Sequence, residues 1–288
     1  MTDVGTLVSP IIMGILLGGL YALIALGLSM VFGVMRLINL AHGDLVILGS
    51  YIAFACMTYL GMDPILSLVI AIPVLFGIGF FIQQFLMSRA FAISAEAPLI
   101  IAFGIALIIQ NTNQIMWTPL SRGLTTAYSL SSFHLGSYQF PLSYLLNFIA
   151  AVVVMLALRE FLRRTYLGKA ITAASQDRRA AQLMGINTKM IYGFAFAIAM
   201  ICAAIAGIFL GMTFPFTPTS GIQFLIIAFG VVIIGGLGSI FGTFLGGIIL
   251  GLVQTLTGFF FGPATQMLFI YVIVLVILAI RPKGLLGR

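Results

Sequence analysis

The sequence predicts an all-α polytopic membrane protein with about 8–10 transmembrane helices, a short cytoplasmic coupling helix and at least one interrupted or re-entrant segment. Of its 288 residues, 62% are hydrophobic and 7% are charged, and the mean hydropathy is +1.24. Soluble globular chains contain about 45–50% apolar and about 25% charged residues. Thirteen basic and six acidic side chains cannot cover a water-soluble domain of this length. We therefore expect residues 1–288 to form one membrane domain whose surroundings are the lipid bilayer.

Nine apolar runs predict the individual helices. They lie at 11–31, 43–60, 65–87, 98–117, 141–158, 190–213, 222–236, 241–261 and 264–280. None shows the alternation in units of roughly ten residues that a membrane-spanning strand requires. The stretch 222–261 is too long for one crossing, so we divide it at the glycine turn 235–239. The number of spans changes by one if 32–44 is a re-entrant break rather than a loop.

The basic residues predict the orientation. Residues 159–189 carry seven Lys and Arg against two acidic residues, a net charge of +5, and the tail adds Arg281, Lys283 and Arg288. Positive charge in short loops marks the cytoplasmic side, so 159–189 and the C-terminus are predicted to be cytoplasmic. This placement argues against nucleic acid as a partner. Because each span takes the chain to the other side of the membrane, counting the spans back from 159–189 places the N-terminus and segment 118–140 outside. Segment 118–140 is then either a docking surface or a plain connection.

Polar residues interrupt the apolar chain at 39–44. This stretch contains Asn39, His42, Gly43 and Asp44. Ionisable groups within membrane segments usually face protein or water rather than lipid. The residues either form a helix break whose polar groups pair with one another or line a translocation path, or they belong to an ordinary loop at the membrane surface.

A second polar patch, Gln110, Asn113 and Gln114, shares one helix face at spacings of three and four residues. It lies either in an outer vestibule or, as we favour, in interhelical hydrogen bonds or at the interface.

Glycines recur at intervals of four residues in the last third of the chain, at Gly207 and Gly211 and at Gly238, Gly242 and Gly246. Small residues at this spacing let helix backbones approach closely. We expect close helix packing there, some of it at a sliding or dimer interface.

The basic segment contains a stretch rich in Ala and Arg, 171–182, between Gly168 and Gly185. This composition favours a short helix that is too polar to cross. We expect it to insert into a groove of a partner protein, and the alternative is that it rests on the lipid surface. The residues that it would present are Ala173, Ala174, Gln176, Asp177 and Ala180.

The chain carries no motif for chemistry of its own. The patterns GxxxxGK[ST], HExxH and GxSxG and clusters of Cys or His are absent, and Cys56 and Cys202 stand alone. We therefore expect no catalytic residue, no metal site and no cofactor, and an intramembrane enzyme is a weak alternative. An ion-coupled secondary transporter would need acidic residues within its spans, and only Asp44 fits that position.

Several of these segments occur together in one known family. The stretches 19–27 (GLYALIALG), 39–44 (NLAHGD), 168–187, 235–239 with Gly246-Gly247, and 281–287 (RPKGLLG) follow one another along the chain. On these segments the chain resembles the LivH-type permease subunit of branched-chain amino acid ABC importers.

This resemblance implies a bacterial or archaeal cytoplasmic membrane protein that forms a path for hydrophobic amino acids by alternating access. Its partners would be a second related permease, two ABC ATPase subunits that bind ATP and magnesium, and an extracytoplasmic solute-binding protein. A permease for urea or short-chain amides in the same family is the alternative. The residues that match the family's ATPase-docking loop are Gly168, Ala173, Asp177, Gly185 and Ile186. Those that match its interrupted segment are Asn39, His42, Gly43 and Asp44.

Overall fold

The computed structural model describes residues 4–91, 93–94, 96–126, 128–135, 138–281 and 284–286, which are mostly helical. The helices of this part are α1 Val4–Met35, α2 His42–Leu60, α3 Leu68–Phe81, α4 Ser88–Ala90, α5 Ala97–Trp117, α6 Leu142–Arg164, α7 Tyr166–Gln176, α8 Arg178–Leu183, α9 Thr188–Thr213, α10 Gly221–Gly235, α11 Ile240–Phe261 and α12 Gln266–Ile280. A π-helical segment, Ile82–Met87, joins α3 to α4, and a 3₁₀ turn, Pro263–Thr265, precedes α12. Strands β1 Ser132–Leu135 and β2 Tyr138–Pro141 form an antiparallel hairpin in which Ser132 pairs with Pro141.

Eight helical segments of the described chain are long and apolar enough to cross a bilayer. They are Leu7–Met35, His42–Leu60, Leu68–Ala90, Ala97–Trp117, Leu142–Arg164, Thr188–Thr213, Ile240–Phe261 and Pro263–Ile280. The predicted fold class is therefore confirmed. The helix expected at 222–236 does not make the crossing by itself, because α10 has 15 residues and reaches only about 22 Å. The hydrocarbon core is about 30 Å thick.

The bundle has two distinct ends. One carries segment 165–187 and we call it the basic end; Gly33 near the end of α1 packs there against Gly238. The tail also lies there, since the backbone N–H of Leu285 donates to the carbonyl of Ile234 at 2.8 Å. The tail residues Pro282, Lys283, Gly287 and Arg288 are outside the described residues.

The opposite end carries the β-hairpin and we call it the hairpin end. Arg122 and Phe216 exchange two backbone hydrogen bonds of 2.8 Å there, which join segment 118–131 to the chain between α9 and α10. The Tyr128 hydroxyl donates to Asp63 Oδ1 at 2.9 Å, so the same segment also contacts the connection between α2 and α3. Burial raises the pKa of Tyr128 to about 12.

The core lies around α1 and α9. In each of these two helices 78% of the most apolar 18-residue stretch is buried, whereas the corresponding fraction in Pro263–Ile280 is 6%. Glycines permit this close packing, since Gly247 and Gly251 of α11 meet the backbone of α1 at Gly18. The outer helices α3, α5, α6 and α12 therefore surround a core that is built on α1, α9 and α11.

Candidate functional site

Helix α2 begins inside the bundle, not at its basic end. The chain leaves α1 at Met35, and residues 36–41 are not helical. His42, the first residue of α2, donates from Nε2 to the carbonyl oxygen of Ile24 at 2.8 Å. Ile24 lies eleven residues before the end of α1, or about 16 Å along its axis. Segment 36–41 is therefore a break inside the protein and not a surface loop, as non-helical backbone at this depth requires.

Asp44 is buried where two helices begin. It lies in the first turn of α2 and is 3% exposed. Gln110 of α5 donates from Nε2 to Oδ1 of Asp44 at 3.0 Å. The carboxylate also lies against Gly221, the first residue of α10, where any Cβ would overlap Oδ1. Because helix N-termini favour negative charge, both helix starts and the amide of Gln110 stabilise this carboxylate.

The other two polar residues of the break have different partners. Asn39 Oδ1 accepts a hydrogen bond from the backbone N–H of Ala41 at 3.1 Å. Asn39 Nδ2 and His42 Nδ1 are buried and have no hydrogen-bond partner in the described ranges. Of the alternatives for this break, pairing of Asn39, His42 and Asp44 with one another does not occur among the described residues, because neighbouring backbone and Gln110 are the partners instead.

The three residues of the second polar patch lie in different surroundings. Gln110 reaches Asp44, whereas Asn113 is buried with neither side-chain polar atom bonded. Gln114 is exposed. Sequence spacing alone therefore did not reveal that this patch and the break share a hydrogen bond.

The segment at the basic end forms two helices, α7 and α8, that meet at Asp177. Asp177 Oδ1 accepts hydrogen bonds from the backbone N–H groups of Arg179 at 2.8 Å and Ala180 at 3.0 Å. Asp is a strong N-cap residue, so its side chain starts a new helix here. The single helix predicted over 171–182 is wrong for this reason.

Burial divides the residues of this segment into two sets. Ala174 is 2% exposed because it shares one face of α7 with Ala170 and Ile171, so its predicted presentation to a partner is wrong. Gly168 is buried against the backbone of α6 at Leu162. The set that reaches the surface, fully or in part, is Ala173, Gln176, Asp177, Ala180, Gly185 and Ile186.

An apolar tip projects from the basic end beside these residues. Leu183 is 89% exposed and Met184 is 82% exposed at the end of α8. The chain then turns at Gly185, whose φ of 81° suits glycine. Large exposed apolar side chains next to a polar helix are typical of a protein interaction site.

Nearly the whole chain matches one family of sequences. A family model described as "Branched-chain amino acid transport system / permease component" matches residues 11–278. The chain belongs to this family. It is thus a permease component of a transport system, and its apolar helices make this permease a multi-pass membrane protein.

Two curated relatives align with this permease over nearly their whole length. The high-affinity branched-chain amino acid transport system permease protein BraD of Pseudomonas aeruginosa is 32% identical over 308 residues, which cover 100% of this chain and 98% of BraD. The corresponding protein LivH of Escherichia coli K12 is 31% identical over 296 residues, which cover 96% and 94%.

One solved structure shares the fold of this permease. It is described as PsaBC from Streptococcus pneumoniae in complex with Fab. The TM-score is 0.52 at 12% sequence identity, with 94% of this chain and 91% of that chain covered. At this identity the likeness concerns the fold alone.

The predicted packing glycines of the permease lie in four settings. Gly207 of α9 lies against the α2 backbone at Val46, and Gly238 lies against Gly33 of α1. Gly242 and Gly246 of α11 lie against the α10 backbone near Gly235. Gly211 instead lies against the side chains of Leu124 and Phe216 at the hairpin end, so its contact is with a connecting segment.

Sequence reasoning missed two features of the site. In the sequence Gly221 is marked only by its place after a turn rich in Ser, Pro and Thr. Its contact with Asp44 could not be predicted because the two residues are far apart along the chain. The apolar pair Leu183-Met184 was visible but was taken as the end of a helix. No group of three or more His, Cys, Asp or Glu in the described ranges is placed to hold a metal ion.

Proposed function

We propose that this permease forms the translocation path of an ATP-driven importer for branched-chain amino acids. The observation that carries the proposal is the family match over residues 11–278. The names of BraD and LivH favour a branched-chain amino acid over urea or a short amide as the cargo. An ion-coupled mechanism has less support, because Asp44 is the one acidic side chain buried among the described residues.

The complex that we infer contains a second related permease, two ABC ATPase subunits and an extracytoplasmic solute-binding protein. The sequence has no phosphate-binding loop, so ATP and magnesium are assigned to the ATPase subunits. Residues 1–288 act as a single permease domain within this complex.

The basic end faces the cytoplasm of a bacterial or archaeal cell in this proposal. The supporting observation is its seven basic residues in 159–189, since such loops stay inside. The C-terminal tail is then cytoplasmic, because residues 285 and 286 bond to α10 at that end. Segment 118–140 faces outward and serves as a docking surface for the binding protein.

The ATPase subunit docks on segment 165–187. The apolar tip Leu183-Met184 supplies the anchor, since buried apolar side chains dominate binding energy at interfaces. Asp177 holds α8 in position through its two backbone hydrogen bonds. The surrounding docking surface consists of Ala173, Gly185 and Ile186, and Gly168 supports it from within.

Movement of this segment reaches the break through the core. The buried face of α7 packs against α1, α6 and α9, so displacement of α7 moves the helices that enclose His42. Alternating access follows if these helices slide at their glycine contacts. The residues that we assign to the wall of the path are Asn39, His42, Gly43 and Asp44.

The test is reconstitution in proteoliposomes of the permease with its related permease, both ATPase subunits and the binding protein. We expect ATP-dependent leucine uptake that ionophores do not abolish and that stops when any component is left out. Uptake by the permease alone, or uptake that collapses with the ion gradient, would contradict the proposal.

A further inference from the structure

A cavity of about 190 Å³ lies beside the start of α10, between the middle of α1 and the hairpin end of the bundle. Tyr21, one of its wall residues, is the central residue of the span Leu7–Met35. Gln254, from the half of α11 that ends at Phe261, lies beside Tyr21. Gln223 and Phe224 line the cavity from α10. Gly221 and Leu225 of the same helix contact α2 instead, so the cavity and the Asp44 site lie on different faces of α10.

The wall of the cavity combines uncharged polar groups with large apolar ones. The Tyr21 hydroxyl donates to Gln254 Oε1, and Gln254 Nε2 donates to Gln266 Oε1 at 3.2 Å. This chain of hydrogen bonds fixes the amide of Gln254. Gln223 is exposed and makes no side-chain hydrogen bond within the part of the chain that the structure describes. The main apolar wall residues are Phe214, Phe224 and Met267.

We propose that this cavity is the site at which the permease holds its cargo within the membrane, one small zwitterion with an aliphatic side chain. The inference rests on the proposed function and names the residues that would contact the cargo. Pockets for drug-sized ligands measure about 300–1,000 Å³, so this smaller cavity selects a compact molecule. Phe214, Phe224 and Met267 receive its aliphatic part.

Both charges of the zwitterion find uncharged partners. The Ser220 hydroxyl and the side-chain N–H groups of Gln223 are the donors of the wall that suit a carboxylate. The oxygens of Gln223 and Tyr21 accept from an ammonium group. Because no lining residue is ionic, the site holds its cargo weakly, and a transport path must release what it binds.

A second cavity of about 180 Å³ provides a matched control. It lies between α6 and α9, and its wall consists of aliphatic and aromatic side chains with Cys202. It has nearly the same volume but offers no group that would hold a zwitterion. Ala157 lies on its exposed rim, as Gln223 does in the first cavity.

The experiment fills each cavity with a tryptophan in the complete reconstituted transporter. We expect Gln223→Trp to lower the initial rate of leucine uptake about tenfold or more, because the indole would occupy the space that the cargo needs. Ala157→Trp should leave uptake within about twofold of the wild type. ATPase activity should persist in both variants, because no residue of segment 165–187 lines either cavity.

A labelling experiment covers the case in which Gln223→Trp fails to assemble. Gln223→Cys is treated with a water-soluble thiol reagent in the complete complex, where Cys56 and Cys202 are buried. Leucine-loaded binding protein with ATP should slow the labelling more than ligand-free binding protein with ATP does. The measurement with ligand-free binding protein shows how much the docked binding protein slows the labelling by itself.

The outcomes separate the inference from the proposed function. Absence of leucine uptake by the wild-type complex contradicts the proposed function. Wild-type uptake that Gln223→Trp and Ala157→Trp leave equally intact overturns the inference alone. Equal protection by loaded and ligand-free binding protein also overturns it, since the cavity is then covered by a protein rather than occupied by cargo.

Discussion

Gly43 of α2 and Gly221 of α10 are in direct backbone contact, and a Cβ on Gly43 would overlap the carbonyl oxygen of Gly221. The contact fixes the starts of two helices at one depth inside the bundle. Both N-termini therefore meet beside Asp44. Helices that begin inside the membrane in this way surround the central sites of many transporters. The contact between the two glycines therefore places these helix starts beside the proposed path.

The Gly43–Gly221 contact predicts that alanine substitutions at different glycines change the free energy of unfolding by different amounts. Gly43→Ala and Gly221→Ala should each lower the free energy of unfolding by about 1–3 kcal/mol, because the backbones must move apart. The matched control is Gly104→Ala on α5, where a Cβ meets nothing within 4 Å. That change should be neutral or stabilising by up to about 1 kcal/mol. Thermal unfolding in detergent measures all three, and equal midpoints for Gly43→Ala and Gly104→Ala would contradict the contact.

The carboxylate of Asp44 predicts a graded response to substitution. Asp44→Asn keeps an acceptor for Gln110 and removes the cost of burying a charge, so the free energy of unfolding should change by less than about 1 kcal/mol. Asp44→Leu also leaves the Gln110 amide without its partner and should cost about 1–3 kcal/mol more. Thermal unfolding separates the two variants.

Leucine uptake tests whether Asp44 also belongs to the path. In the assembled transporter, Asp44→Asn should reduce the rate of uptake while the complex still forms. Normal uptake together with normal assembly would remove Asp44 from the path and leave it a structural role.

Composition predicted the membrane class and most of the spans because a bilayer selects helices by length and apolarity. The depth at which α2 and α10 begin was not predictable, since it depends on Gly43 meeting Gly221 and Asp44 meeting Gln110, contacts between distant segments. The division at Asp177 was visible locally, because an Asp before a helix-forming stretch is a typical N-cap. The hairpin at 132–141 gave no comparable signal.

The cap at Asp177 predicts that its hydrogen bonds, and not its charge, matter for coupling. Asp177→Ala should destabilise α8 by about 1 kcal/mol and speed amide exchange at Arg179 and Ala180 about fivefold. Asp177→Asn should retain slow exchange, because Asn caps helices as well as Asp does. ATPase activity that depends on the binding protein should fall in the Ala variant and persist in the Asn variant. Loss of activity in Asp177→Asn with slow exchange retained would point to a charge pair with the ATPase instead.

The apolar tip of α8 predicts where the ATPase subunit is held. Leu183→Ser and Met184→Ser should weaken its binding about 30-fold each if the two side chains act as buried anchors, which typically contribute about 2 kcal/mol or more. Both side chains are almost fully exposed in the isolated chain, so these changes should leave thermal unfolding of the permease unaltered. Leu130→Ser is the matched control, since Leu130 is 79% exposed at the hairpin end. The effect is measured as the amount of ATPase that copurifies with the permease as the concentrations of salt and detergent are increased. Retention of the ATPase by both tip variants, at the level of Leu130→Ser, would show that the subunit is held elsewhere on the basic end.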